Sequence, residues 1–216
     1  MRIAVLGYFR NFTRVPEGNV DHMYLDKKKL VTVANGNLID PVAEAVKMPF
    51  RWRDSKRPAT SDEIRAEWLA IKSNSSLAKL GHTAAAKVAK LELSDRDMGR
   101  IVAERLRANE IAANSIPALA HWAGWPADAQ MGLMSMFWAL GPTKFRVEFP
   151  KFQAAARDAN FLGCMAECDI DETDNPGIAP RNRAQRIMFK LAARTVAEQL
   201  DPEYLHFADV PRKEWH

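Results

Sequence analysis

Apolar residues punctuate the first sixteen positions at Ile3, Val5, Leu6, Tyr8, Phe9 and Phe12, a spacing that predicts a short helix or turn ending at Pro16. The pattern then changes. Val20, Met23, Leu25, Leu30, Val31 and Val33, with turn-type residues at 27–29 and 35–37, predict a small hairpin or meander, the one β region expected. From Pro41 onward the chain reads as helical. Residues 50–59 (FRWRDSKRPA) read as a basic linker broken by proline. Thr60 and Glu63 form a capping-box pattern ahead of Ile64, Trp68 and Ile71, and Ser73–Ser76 breaks that run.

Ser94 is the predicted N-cap of a long helix reaching about residue 114, with Asp95 and Asp97 in its first turn and Met98, Ile101, Val102 and Leu106 on one side. Gly124-Trp125-Pro126 is a break, with Pro126 suited to a first helical position. Residues 131–140 (MGLMSMFWAL) are apolar nearly all round, which places that helix in the centre of a bundle, and Gly141-Pro142 ends it. Residues 149–168 predict another helical stretch, and an acidic loop (DIDETDNPGIAP) follows. Pro180 precedes a last amphipathic helix expected to bury Ala184, Ile187, Met188, Leu191 and Val196, with Arg183, Arg186, Lys190 and Arg194 on another side.

The expected class is α+β, mostly α. Residues 1–216 would form one domain with two lobes: a small β-containing lobe over 17–93, an inter-lobe helix over 94–116, and a helical lobe over 117–216 on which residues 1–16 pack. A cleft between lobes would be the preferred ligand site.

Composition sharpens this only slightly. Hydrophobic residues make up 47% of the 216, enough for a sizeable core, and no apolar run approaches the roughly 20 residues that span a membrane. Stable membrane insertion is not expected. The N-terminus is too interrupted for a signal peptide, so synthesis in the cytoplasm without an address is expected. The net charge of +4 and the pI near 9.1 mildly favour a polyanionic partner. Cys164 and Cys168 stand four apart on one predicted helix face and read as two small buried hydrophobes. Neither a metal site nor a disulfide framework is indicated, and no cofactor is implied.

Hydrolysis of a glycosidic bond needs a proton for the leaving oxygen and activation of a nucleophile, which two carboxyl groups can supply. Glu17, where the first segment ends, and Asp26, at the mouth of the hairpin turn, are a candidate pair. Thr32 returns on the second strand with a hydroxyl able to hold a water. Spacing alone does not single this pair out from 27 acidic residues; Asp26 also suits a turn and Thr32 a strand.

The string itself does more. Glu17-Gly18, Met23-Tyr24-Leu25-Asp26, Val31-Thr32-Val33 and Gly36-Asn37-Leu38 resemble the catalytic segment of phage-type lysozymes, the group typified by the T-even bacteriophage enzyme. Eight residues separate Glu17 from Asp26 and five separate Asp26 from Thr32, matching that family without a gap. Residues 180–187 (PRNRAQRI) resemble the opening of its final helix with one residue inserted, and 134–141 (MSMFWALG) its central helix.

The resemblance implies a muramidase cutting between N-acetylmuramic acid and N-acetylglucosamine with inversion, for which carboxyls roughly 6.5–9.5 Å apart leave room for water. It implies Glu17 as general acid, Asp26 as general base, Thr32 positioning water, and an ion pair of Arg183 with Glu17. Leu38 and Phe137 would line the substrate cleft.

The departures are Lys29 at the family's hairpin glycine, Ala34 at the first glycine after the threonine, and Asn37 at its histidine. Residues 41–93 are long for the family, and the last fifteen or so residues extend beyond its final helix. The expected partner is the glycan strand of peptidoglycan. The setting would be a phage endolysin released through pores, or an effector injected by a secretion system and met by an immunity or inhibitor protein. Nucleic acid is not an expected partner, and the enzyme would act in the periplasm or on the wall. The competing reading is a catalytically inactive module binding cell wall or nucleic acid. Against its nucleic-acid form, no helix-turn-helix or stacked-aromatic RNA motif appears.

Overall fold

The computed structural model describes residues 1–173 and 175–216 and is mostly helical, with little strand. The chain divides into two compact units, one of Met1–Pro16 with Glu104–His216, the other Glu17–Ala103.

Helix α1 spans Ile3–Glu17 and buries Val5, Phe9 and Phe12. It stops where Gly18 adopts φ +75°, the left-handed conformation in which glycine meets no Cβ penalty. Strands β1 (Val20–Leu25), β2 (Val31–Ala34) and β3 (Asn37–Leu38) form an antiparallel sheet in chain order. Helix α2 (Val42–Ala45) and strand β4 (Arg51–Trp52) follow. Helix α3 (Ser61–Ser73) opens with the expected capping box, in which Thr60 accepts from the Glu63 N–H and the Glu63 side chain accepts from the Thr60 N–H. Its buried residues are Ile64, Trp68 and Ile71. Helix α4 (Leu77–Ala85) is kinked at Gly81, and strand β5 (Leu91–Glu92) pairs antiparallel with β4.

Residues 50–59 are therefore not the linker that their charge and proline predict. Arg51 also bridges to Pro58, and the Trp52 N–H donates to the Arg57 carbonyl at 2.9 Å, closing a tight, ordered turn. The core of this unit joins the sheet residues Met23, Leu25, Val31 and Val33 to Phe50, Ile64, Trp68, Leu77, Leu91 and Leu93. Residues 41–93 thus supply much of the hydrophobic mass on which the sheet rests.

Helix α5 spans Asp95–Asn114 and passes from one unit to the other. Ser94 caps it, its Oγ accepting from the Asp97 N–H at 3.1 Å. The helical unit continues with α6 (Ala127–Leu140), α7 (Pro142–Glu148), α8 (Pro150–Arg157), α9 (Phe161–Ala166) and α10 (Ala179–Ala197). Pro126 is the N-cap of α6 rather than its first helical residue. Every residue of α6 from Ala127 to Trp138 is buried, the polar Asp128, Gln130 and Ser135 included, as a helix at the centre of a bundle requires. The stretch 149–168 is two helices, not one. Ala159 takes φ +50° between them and the Asn160 side chain caps the second.

The expected buried face of the last helix is corrected here. Helix α10 buries Arg181, Asn182, Ala184, Gln185, Met188, Phe189, Ala192 and Thr195, while Val196 is exposed and Ile187 and Leu191 are half-buried. Its inner face includes polar groups because Ser135 of α6 receives them. The Arg181 guanidinium donates to the Ser135 carbonyl at 3.1 Å, and Gln185 and the Ser135 hydroxyl bond at 3.0 Å. The C-terminal extension is a core element. Phe207 and Trp215 are buried with ring centroids 5.9 and 5.5 Å from Phe12. Cys164 and Cys168 are free and buried, and burial pushes both thiols up to about 12. Among the described residues no helix is long and apolar enough to cross a membrane.

Candidate functional site

Glu17, Asp26, Thr32 and Leu38 all belong to the β-containing unit. The strand register explains how a string spread over 22 positions becomes one surface. Tyr24 of β1 lies directly across from Thr32 of β2, and Thr32 directly across from Leu38 of β3. Directly paired residues share a face, so Tyr24, Thr32 and Leu38 form one row across the sheet. Along this row Thr32 is buried, Tyr24 half-buried and Leu38 exposed.

Asp26 follows the end of β1. Its N–H donates to the Leu30 carbonyl at 3.0 Å, closing the hairpin. Its Oδ1 accepts from the N–H groups of Lys28 and Leu30, both at 2.8 Å. One carboxylate oxygen is thus spent on fixing the side chain, and among the described residues Oδ2 has no hydrogen-bond partner. Thr32 donates its hydroxyl to the Leu30 carbonyl at 3.3 Å, so its oxygen lone pairs are what it can offer a bound water.

Glu17, at the end of α1, meets the opposite end of β2 from Asp26. Gly36 sits in the β2–β3 turn at φ +71°, and a Cβ built there would lie 2.6 Å from Glu17 Oε2. Only a residue without a side chain lets the carboxylate lie so close to this backbone. Next to it, the buried Asn35 amide donates to the Gly18 carbonyl at 2.5 Å, tying the turn to the segment that carries Glu17. Tyr24 reports on both carboxylates. Its hydroxyl is pushed up to about 12 by burial first, then by the negative charge of Glu17, then by that of Asp26. The phenol therefore stays protonated at any working pH and stands within the field of both acids.

Asn35 and Tyr24 are the supporting residues that spacing alone does not reveal. Tyr24 is visible in the string only as part of a motif, and Asn35 only as a turn residue. Lys29 and Ala34, which stand where the resembled family has glycine, both take positive φ, at +62° and +56°.

The remaining predicted residues lie in the helical unit. Arg183 donates to the His216 carbonyl at 3.2 Å; the ion pair with Glu17 implied by the resemblance would have to span the two units. Phe137 has no exposed surface and packs edge-on against Phe145 at 5.0 Å, so it is a core ring rather than a wall of a substrate site. Among the described residues no group of three or more His, Cys, Asp or Glu is arranged to hold a metal ion. Comparison of the chain with family models, with curated proteins and with solved structures finds no match in any of the three.

Proposed function

We propose that this chain is a muramidase with a two-lobed, lysozyme-like fold, hydrolysing the β-1,4 bond between N-acetylmuramic acid and N-acetylglucosamine in peptidoglycan. The observation that carries the reading is that Glu17 and Asp26 both act on the Tyr24 hydroxyl, which lies across the sheet from Thr32. This supports a reading in which the two acids flank the Tyr24–Thr32 pair, Asp26 from the β1–β2 turn and Glu17 from the β2–β3 turn.

In this mechanism Glu17 gives its proton to the glycosidic oxygen as the bond to the anomeric carbon breaks. A water held by the Thr32 oxygen attacks that carbon from the opposite face. Asp26 takes the water's proton on Oδ2, while Oδ1 stays bound to the turn. The sugar leaves with inverted configuration, and both acids return to their starting states by exchange with solvent. Leu38, exposed at the end of the row, offers an apolar contact to a sugar face. Lysis of a bacterial wall follows, in the setting of a phage endolysin or of an injected antibacterial effector opposed by an immunity protein.

Purified peptidoglycan digested with the protein and reduced with borohydride tests this. The new reducing ends are expected on N-acetylmuramic acid; ends on N-acetylglucosamine, or soluble peptides without new ends, contradict it. A second reading has one observation in its favour: the Asp26 carboxylate is already engaged by two backbone N–H groups, as in a purely structural turn. On that reading the protein binds wall without cutting it, and digestion releases no new ends at all.

A further inference from the structure

The β-containing unit also holds a cavity of about 410 Å³, bounded by one side of α3 and by Trp52, Val88, Lys90 and Leu91. None of its lining residues belongs to β1–β3. Those from α3 stand at 63, 66, 67, 70 and 71, with Asn74 at its C-cap, the spacing of a second stripe beside the face that enters the core. Ala66 and Ala70 are the small members of that stripe and leave the space open, while Ile71 and Leu91 form a buried apolar floor. The volume lies within the range of roughly 300–1,000 Å³ typical of small-molecule sites.

The polar groups around it are not equivalent. The Glu63 carboxylate is taken by Arg57, at 2.6 and 3.3 Å, and by the Thr60 N–H at 2.8 Å. These partners hold it down to about 2. Glu67 accepts from the Lys90 N–H at 2.9 Å and the Leu91 N–H at 3.1 Å, and burial raises its acid above the ordinary carboxylate range. Both acids are thus satisfied from within. The Lys90 side chain is exposed; its charge acts on Glu67, but among the described residues its ammonium closes no salt bridge within 4 Å. The buried indole N–H of Trp52 makes no hydrogen bond of ordinary geometry. What the cavity offers a ligand is therefore an aromatic and aliphatic surface, two carboxylates already engaged by the protein, and a lysine ammonium at its edge. That chemistry suits a small molecule with an apolar face and one carboxylate.

We propose that this cavity is a second carbohydrate site that takes an N-acetylated sugar acid of the muramic type, its acetamido and ring C–H surface against Trp52 and Val88 and its carboxylate on Lys90. The proposal rests on the muramidase reading for the choice of sugar. It would give the enzyme a hold on the glycan strand separate from Glu17 and Asp26, supplied by the segment that is long for the resembled family.

The test titrates N-acetylmuramic acid, with N-acetylglucosamine as the comparator lacking a carboxylate, into ¹⁵N-labelled protein. The expected result is a shift of the Trp52 indole resonance, assigned with Trp52→Phe, and of amides 63–74 and 88–91, in wild type and in Glu17→Gln alike. Lys90→Gln should weaken binding about tenfold, the neutral sugar should bind about tenfold more weakly, and Ala70→Trp, at an exposed helix position, should abolish the shifts. Circular dichroism melts establish that Ala70→Trp is folded; Lys90→Gln, also on the surface, tests the same site by affinity. Shifts confined to residues 17–38, no shifts, or equal binding of both sugars by wild type and Lys90→Gln overturn the site. Binding here with no reducing ends released by wild type leaves the site standing and removes the muramidase reading. Reducing ends without binding here do the reverse.

Discussion

In the hairpin turn Lys29 holds φ +62°, in the region where a Cβ crowds the following carbonyl oxygen. Its side chain is exposed, so little is lost by removing it. Lys29→Gly is expected to raise stability by about 0.5–1 kcal/mol, the relief of strain exceeding the added freedom of the unfolded chain. Chemical denaturation checks this, and an unchanged or lower midpoint would contradict it.

Gly36 is the opposite case. Alanine there would strain φ +71° and drive a Cβ to 2.6 Å from Glu17 Oε2, so the carboxylate must move. Displacing a proton donor by about 1 Å can cost on the order of a hundredfold in rate. Gly36→Ala is therefore expected to lose wall-lytic turnover to about that degree while still folding, measured by turbidity loss of purified peptidoglycan beside a thermal melt. The motif singled out Glu17, Asp26 and Thr32 as candidates because of their fixed spacings along one short segment. Asn35 was not legible, because its amide acts on a carbonyl that only the fold brings within reach.

Among the elements, α3 and α5 were readable from end to end, since a capping residue and an apolar stripe are local signals. The β4–β5 pair was not. Each strand has two residues, and they meet across a gap of about forty positions, so nothing in either neighbourhood reports the other. The inner face of α10 departs from its hydropathy, which sends Arg181 and Gln185 outward, whereas Ser135 pairs with both in the interior. The same helix pair sets a packing limit. A Cβ at Gly132 of α6 would lie 2.8 Å from the Phe189 ring of α10, and Phe189 is itself fully buried. Gly132→Ala should therefore destabilise the protein by about 1–3 kcal/mol through overpacking, in spite of the better helix propensity of alanine. A urea melt showing equal or greater stability would mean that Phe189 has room to rotate away.

For the whole molecule, the C-terminal extension is joined to the helical unit by a titratable group. Asp128 is fully buried at the start of α6 and accepts from the N–H groups of Phe207 at 2.8 Å and His206 at 3.2 Å. Burial outweighs these bonds and raises its acid to about 6. A carboxyl whose folded value lies above its unfolded one, near 3.9, contributes its full stability below pH 4 and loses it as pH rises through about 6. The loss is on the order of 3 kcal/mol. Melts of wild type and Asp128→Asn between pH 4 and pH 7 should differ in slope over that window, the wild type falling relative to the variant as pH rises. Parallel slopes would mean that the carboxyl titrates in the fold as it does in water. The general class, α+β and mostly helical, was legible from periodicity alone. The role of the extension was not, because Phe207 and Trp215 are isolated aromatics with no pattern around them.

The central claim is that Glu17 and Asp26 together cut a glycan. The most direct measurement is the initial rate of reducing-end release from purified peptidoglycan by wild type, Glu17→Gln and Asp26→Asn, each shown folded by its melting curve. Release by wild type and a loss of about a hundred- to ten-thousandfold in both variants are expected, the range spanned by removal of a proton donor or a general base. Release by Glu17→Gln or Asp26→Asn at the wild-type rate, or none by the wild type itself, would contradict it.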